Sequence, residues 1–161
     1  MKIHYLKPTK SDAGDLFELF QKMKSDRHFV SFSSAEHPDE IAAWLEESGT
    51  DFFVAKSNEQ VVGVMRAVRG TGDTLHSSEI TMAVSPEFRD QGIAKSLLLY
   101  GLADQKASGV TIARAFVLSD NKASLNTLLA IGFTITGSIY KHHYQPRLSM
   151  YVDDVILFKE L

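Results

Sequence analysis

The residues most able to do chemistry lie in the run Val84-Ser85-Pro86-Glu87-Phe88-Arg89-Asp90-Gln91-Gly92-Ile93-Ala94. A β-rich stretch ends at Val84 and helical apolar spacing begins at Ile93, so a glycine and small residues fall between a strand end and a helix start. The first N–H groups of a helix have no partner inside it, and the helix dipole adds positive charge at the same end. Such a loop holds an anion such as a pyrophosphate when no bulky side chain blocks Gly92 or Ala94, and Arg89 offers a charge-assisted bond beside it. No Gly-Lys-Ser/Thr follows, so this is not a nucleotide-hydrolase loop. The other glycine cluster, Gly70-Thr71-Gly72, has Leu75 where a dinucleotide fingerprint needs its third glycine, which disfavours NAD.

The elements that must position this loop follow from periodicity and punctuation. Residues 3–7 read as a strand, and Pro8 to Asp12 supply a turn and cap before the apolar stripe Leu16, Phe17, Leu19, Phe20 and Met23 of a helix ending near Lys24. Pro38-Asp39-Glu40 opens a second helix with Ile41, Trp44 and Leu45 on one face, closed at Gly49. Residues 51–56 and 60–69 form a hairpin across Ser57-Asn58-Glu59, and 76–84 make a further strand. Ile93, Leu97, Gly101 and Ala94, Leu98, Leu102 recur at intervals of four in a helix that stops at Gly109. Residues 111–118 are β-rich, Asn121 caps a short helix to Ile131, and 133–140 and 149–158 close the chain as strands. The order βααβββαβαββ predicts an α/β fold with a mixed sheet, mostly antiparallel at its N-terminal side. A central parallel strand-loop-helix-strand unit with right-handed crossover spans the glycine loop.

Composition bounds the function classes. The 161 residues carry no repeat or linker-like run, so residues 1–161 read as one domain. Seventeen Lys and Arg against twenty Asp and Glu give a net charge of −3, so no overall basic field is present to hold nucleic acid. The absence of cysteine removes disulfides, thiolate zinc sites and a Cys nucleophile, and fits a reducing cytoplasm. The longest apolar stretch, 97–103, is far short of the ~18 residues of a membrane span. Residues 1–10 carry charges and a proline where a signal peptide has its apolar core, so no membrane association is expected. The six histidines contain no His-x3-His pair, and the adjacent His142-His143 reads as a solvated loop or strand end, so no metal is expected.

Three features in order resemble the GCN5-related N-acetyltransferase (GNAT) superfamily, which moves an acetyl group from acetyl-CoA to an amine. Arg89-Asp90-Gln91-Gly92-Ile93-Ala94 is similar to the family's Arg/Gln-x-x-Gly-x-Gly/Ala loop. Asn121-Lys122-Ala123-Ser124-Leu125 leading to Ile131-Gly132-Phe133 is similar to its Asn, short helix and Gly-Phe pattern, and the element order matches throughout. The resemblance implies acetyl-CoA as co-substrate, held by Met82, Ala83, Val84, Arg89, Asp90, Gln91, Gly92, Ile93, Ala94, Lys95, Asn121 and Ser124. The pantetheine arm would run along Met82, Ala83 and Val84 like an added strand. Many members carry a tyrosine five residues before the Phe of Gly-Phe; here that residue is Leu128. Either Ser124, Tyr140 or Tyr144 supplies the proton for the leaving thiolate, or the thiolate leaves unaided, as a thiol of pKa ~8.5 permits.

Amine acetylation needs a base, because an amine of pKa ~10 is protonated at neutral pH. Glu79 is the candidate. Alternation along the strand puts Ile80, Met82 and Val84 on one face and Glu79, Thr81 and Ala83 on the other, and some family members carry a glutamate at this distance from the loop. The segment 25–37, with Arg27, Phe29 and Phe32, is expected to line the acceptor mouth. The loop 141–148 is expected to form the other wall, its basic residues suiting an acidic or carboxylate-bearing acceptor. The expected partner is a small-molecule or peptide amine, with a homodimer allowed. The rival class is a non-catalytic acyl-CoA-binding module of the same fold.

Overall fold

The computed structural model describes residues 2–25 and 34–161. Arg27, Phe29 and Phe32 lie outside the described residues. In chain order the elements are β1 (Ile3–Leu6), α1 (Ala13–Lys24), α2 (Pro38–Trp44), β2 (Thr50–Ser57), β3 (Gln60–Arg69), β4 (Ser77–Val84), α3 (Ile93–Ala107), β5 (Ile112–Leu118), α4 (Lys122–Ala130), β6 (Thr134–Gln145) and β7 (Met150–Glu160). The seven strands form one mixed sheet in the order β1-β2-β3-β4-β5-β7-β6. Among the described residues only β4 and β5 pair in parallel, joined through α3. Every other pairing is antiparallel.

The sheet is this long on its N-terminal side because the β2–β3 hairpin closes on two left-handed residues, Asn58 (φ 47°) and Glu59 (φ 69°), whose twist suits the flanking strands. Successive side chains then alternate between two cores. Phe53, Met65, Ile80 and Val84 pack on Leu97, Leu98 and Leu102 of α3 and Leu125 and Leu128 of α4. Phe52, Val54, Val64 and Ala83 face Leu16, Leu19, Phe20 and Met23 of α1 and Ile41 of α2. Both faces of β2 and β3 are covered, which is why these strands carry near-continuous apolar runs.

The helix α3 sits close on the sheet because Gly101 faces it. A Cβ at this position would overlap Met65 Sδ and lie 3.0 Å from Phe53 Cδ2, both fully buried side chains. The approach sets where the N-terminus of α3, and with it the glycine loop, meets the end of β4.

One part of the sequence reading is corrected. The segment 141–148 is not a loop: β6 continues to Gln145, a single 3-10 turn over Pro146–Leu148 follows, and β7 begins at Met150. The run Lys141-His142-His143-Tyr144-Gln145 lacks apolar alternation, yet an edge strand need not bury either face. The pairing shifts register between Ile139, opposite Asp154, and His143, opposite Val152, so Tyr140, Lys141 and His142 bulge against Asp153 alone. Lys141 takes a left-handed φ of 48°, and its N–H donates to Asp153 Oδ1 at 2.8 Å.

The close approach at Gly101 gives a stability prediction. Gly101→Ala should lower the unfolding free energy by about 1–3 kcal/mol through overpacking, despite the better helix propensity of alanine. Urea denaturation checks it, and an unchanged or raised midpoint would show that Met65 yields without cost.

Candidate active site

The site begins where the sheet comes apart. β4 and β5 are paired only at Ser77–Ile112, Ser78–Ala113 and Glu79–Arg114; beyond Glu79 and Arg114 the two strands separate. The N–H of Ser85 is given to the carbonyl of Val62 at 2.9 Å, so by strand alternation Ala83 directs its backbone groups to β3. Those of Met82 and Val84 are turned into the gap. One of the exposed acceptors is taken, since Arg89 Nε donates to the Val84 carbonyl at 3.1 Å. Its Nε thereby braces the strand end.

At the head of the gap stands the glycine loop. Asp90 (φ 60°) and Gly92 (φ 75°) are both left-handed, and Gly92 caps α3. Ser96 N–H donates to the Gly92 carbonyl at 3.1 Å, while no carbonyl of the described residues accepts from the N–H groups of residues 92–95. A Cβ built on Gly92 meets nothing within 4 Å, so the space in front of these donors is open. This is a cradle with the chemistry of an anion site. Lys22 of α1 reaches the preceding turn and donates to Glu87 Oε1 at 2.9 Å. That ammonium holds the Glu87 carboxyl at about 2, so it stays charged at any working pH.

Two cavities meet along the gap. The first, about 240 Å³, is lined by Met82, Ala83, Val84, Arg89, Asp90, Gly92 and the start of α3. The second, about 590 Å³, lies between β4 and β5 and reaches Glu79, Phe116, Leu128, His143, Tyr144 and Asp154. Met82, Asn121 and Ser124 line both, so they mark the junction. Asn121 caps α4, its Oδ1 accepting the Ser124 N–H at 3.2 Å. Glu79 is exposed on the lip of the second cavity, on the α1 side of the sheet. Beside it on β3 lies Arg66, whose guanidinium is pushed down from its ordinary value by burial and partly restored by the charges of Glu79 and Glu47.

Comparison with known proteins places this strand-loop-helix geometry in a family. The model for "Acetyltransferase (GNAT) family" matches residues 15–133. The chain belongs to the GNAT acetyltransferase family. Human N-acetyltransferase 8B is 29% identical over 107 residues, 65% of this chain and 47% of that protein. The chain thus spans about half the length of this curated relative. An N-acetyltransferase from Staphylococcus aureus superposes with a TM-score of 0.88 at 19% identity, covering 99% of each chain. A Salmonella typhimurium structure with its cofactor acetyl-CoA superposes at 0.83 and 19% identity, covering 99% of this chain and 94% of that one. These likenesses show the fold.

Within this GNAT chain the expected site residues separate into groups. Met82, Ala83, Val84, Arg89, Asp90, Gly92, Ile93, Ala94, Lys95, Asn121 and Ser124 line the first cavity, while Gln91 does not, its amide donating to the Glu87 carbonyl at 3.5 Å. Glu79 and Tyr144 share the second cavity. Tyr140 lies outside both, 75% exposed, with Lys141 Nζ 5.3 Å from its ring centroid. The expected basic wall is also corrected. Lys141 and Arg147 are absent from the second cavity, Arg147 pairing instead with Asp120 at 3.3 Å, and the ionisable lining comprises Glu79, His143, Tyr144 and Asp154.

Sequence reasoning missed His143 and Asp154. Two acids inside the apolar run Tyr151-Val152-Asp153-Asp154-Val155-Ile156-Leu157 were the available signal. The rings of His142 and His143 stack with centroids 4.5 Å apart and planes 5° apart. Their ring nitrogens and an Asp154 oxygen lie within 4.8 Å of one another. Parallel ring planes share no point, so binding one ion through both imidazoles requires turning at least one ring.

Substitution in the cradle is the direct test of this geometry. Gly92→Val fills the open space and forces a β-branched residue to positive φ, so acetyl-CoA affinity should fall by more than ~10²-fold while the protein stays folded. Calorimetric titration with a circular dichroism control measures it, and unchanged affinity would remove the cradle from the site.

Proposed function

We propose that this chain transfers the acetyl group of acetyl-CoA to a primary amine by direct attack of the amine on the thioester. The reading rests on the parting of β4 and β5 after Glu79 and Arg114, which opens one slot from the Gly92 cradle to the Glu79 lip. The N–H groups of residues 92–95 hold the pyrophosphate, and the backbone groups of Met82 with the N–H of Val84 bond the pantetheine arm as an added strand. The thioester then lies near the junction, where an open β4 N–H is available to the carbonyl oxygen as it becomes anionic. Asn121 and Ser124 border the same point.

The amine enters from the opposite end as an ammonium, which two carboxylates, Glu79 and Asp154, attract. That lining favours a cationic acceptor over the carboxylate-bearing one read from the sequence. Glu79 takes a proton from the ammonium and frees the lone pair for attack. Leu128, 6% exposed, gives the second cavity an apolar wall. The thiolate departs without a strong acid, aided at most by a hydrogen bond from the Ser124 hydroxyl, because a thiolate is a tolerable leaving group. Leu128 is also the observation that favours a non-catalytic acyl-CoA-binding module.

Release of free thiol from acetyl-CoA with a panel of amines separates the two readings. The enzyme should release thiol with at least one amine; tight binding without release would establish the module. Glu79→Gln should lower turnover by ~10²-fold or more and leave acetyl-CoA affinity nearly intact. Wild-type turnover in that variant would reduce Glu79 to a surface residue. Ser124→Ala should cost less than ~10-fold in kcat, and a loss of ~10³-fold would make its hydroxyl an essential acid.

A further inference from the structure

The β6 bulge brings a second acid–base group to the cleft. Past the bulge His143 stands opposite Val152, two residues from Asp154 on β7, and its Nε2 lies 3.5 Å from Asp154 Oδ2. Both residues line the 590 Å³ cavity with Glu79, which belongs to β4 on the other lip. The Asp154 side chain is 13% exposed and that of His143 is 51% exposed, so a largely buried carboxylate stands beside an imidazole that still reaches water. His142 stacks on the other side of the ring and limits its rotation. The groups of fixed charge around it are engaged elsewhere. Asp153 accepts the Lys141 N–H, Lys141 Nζ lies over Tyr140, and Arg147 pairs with Asp120.

Resting on the transfer reading above, we propose that His143, oriented by Asp154, is a second proton acceptor in the acetyl transfer. An ammonium nitrogen carries three hydrogens and the amide product one, so two protons must leave it. Glu79 takes the first, before attack. The nitrogen lone pair then bonds to the thioester carbon while the carbonyl electron pair moves to oxygen, leaving a nitrogen with two hydrogens and a positive charge. With Nε2 on the side of Asp154, 3.5 Å from its Oδ2, Nδ1 of His143 is the nitrogen that removes the second proton. The carbonyl re-forms, the carbon–sulfur bond breaks, and its electron pair leaves with the thiolate, which is protonated from water. Glu79 and the imidazolium each return a proton to water while the thiolate takes one up, so one proton is released per turnover overall. Asp154 is a positioning residue: its carboxylate stands beside Nε2 and sets which ring nitrogen faces the acceptor.

The test uses the full chain, acetyl-CoA and the panel amine that the wild-type protein acetylates fastest, followed from about pH 5.5 to 9. His143→Gln should lower kcat by ~10–100-fold and leave KM for acetyl-CoA within about twofold, and free imidazole should restore part of the rate of His143→Ala. Asp154→Asn should lower kcat by less than His143→Gln does and leave KM for acetyl-CoA within about twofold. A His143→Gln variant with wild-type kcat and pH profile overturns the proposal. So does a rate loss that imidazole leaves untouched while the thermal midpoint falls, because that marks a structural role. If the wild-type protein binds acetyl-CoA yet releases no thiol with any amine, the transfer reading fails first and this inference falls with it. Activity in the wild type with no effect at His143 defeats this inference alone.

Discussion

Three residue pairs of parallel β-structure decide what this protein can do. While β4 and β5 are bonded, from Ser77 to Glu79, the sheet is continuous; past that point their backbone groups need partners that the fold does not provide. Unpaired backbone in an apolar surround is costly, so the parted strands form a standing demand for an extended, amide-bearing molecule. The antiparallel strands on either side hold the parting open. β3 pairs with β4 along its whole length, and β7 does the same for β5, so neither strand can swing across to close the slot.

The other parts of the site are arranged around that opening by packing. Gly101 lets α3 sit close on the sheet, and this closeness places the helix N-terminus at the end of β4, where the strand's pairing with β5 has already failed. A charged contact from Lys22 to Glu87 fastens the same loop to α1 on the opposite face. Being exposed, that pair contributes less than about 1 kcal/mol. The cradle is fixed mainly by the helix packing, with its left-handed residues Asp90 and Gly92 as the local consequence.

Much of this was legible in the sequence because it rests on local signals. The element order, the hairpin at Asn58 and Glu59, the Asn121 cap and the Gly92 loop each follow from spacing or turn chemistry confined to a few residues, and the structure shows them. The acceptor end was harder to read. Its lining comes from β4, β5, β6 and β7, and the residues that meet there are set by a register shift that no local pattern announces. Arg89 shows the same limit. Its type suits an anion, but only the course of the loop reveals that its Nε is spent on the Val84 carbonyl. Likewise the basic residues of 141–148 looked like a wall until pairing extended β6 and turned Lys141 and Arg147 elsewhere.

The kink in β6 has a further effect. The sheet ends in two open edges, β1 and β6, and an open edge is a template on which another chain can add a strand. β1 is four residues long and offers little to copy. β6 is twelve residues long and exposed along most of its length, so it would be the more dangerous of the two. Its left-handed Lys141 and the bulge around it break the straight ladder midway and set a cation and the His142 imidazole on the break. The irregularity that brings His143 to the cleft therefore also protects the protein against aggregation through its longest free edge.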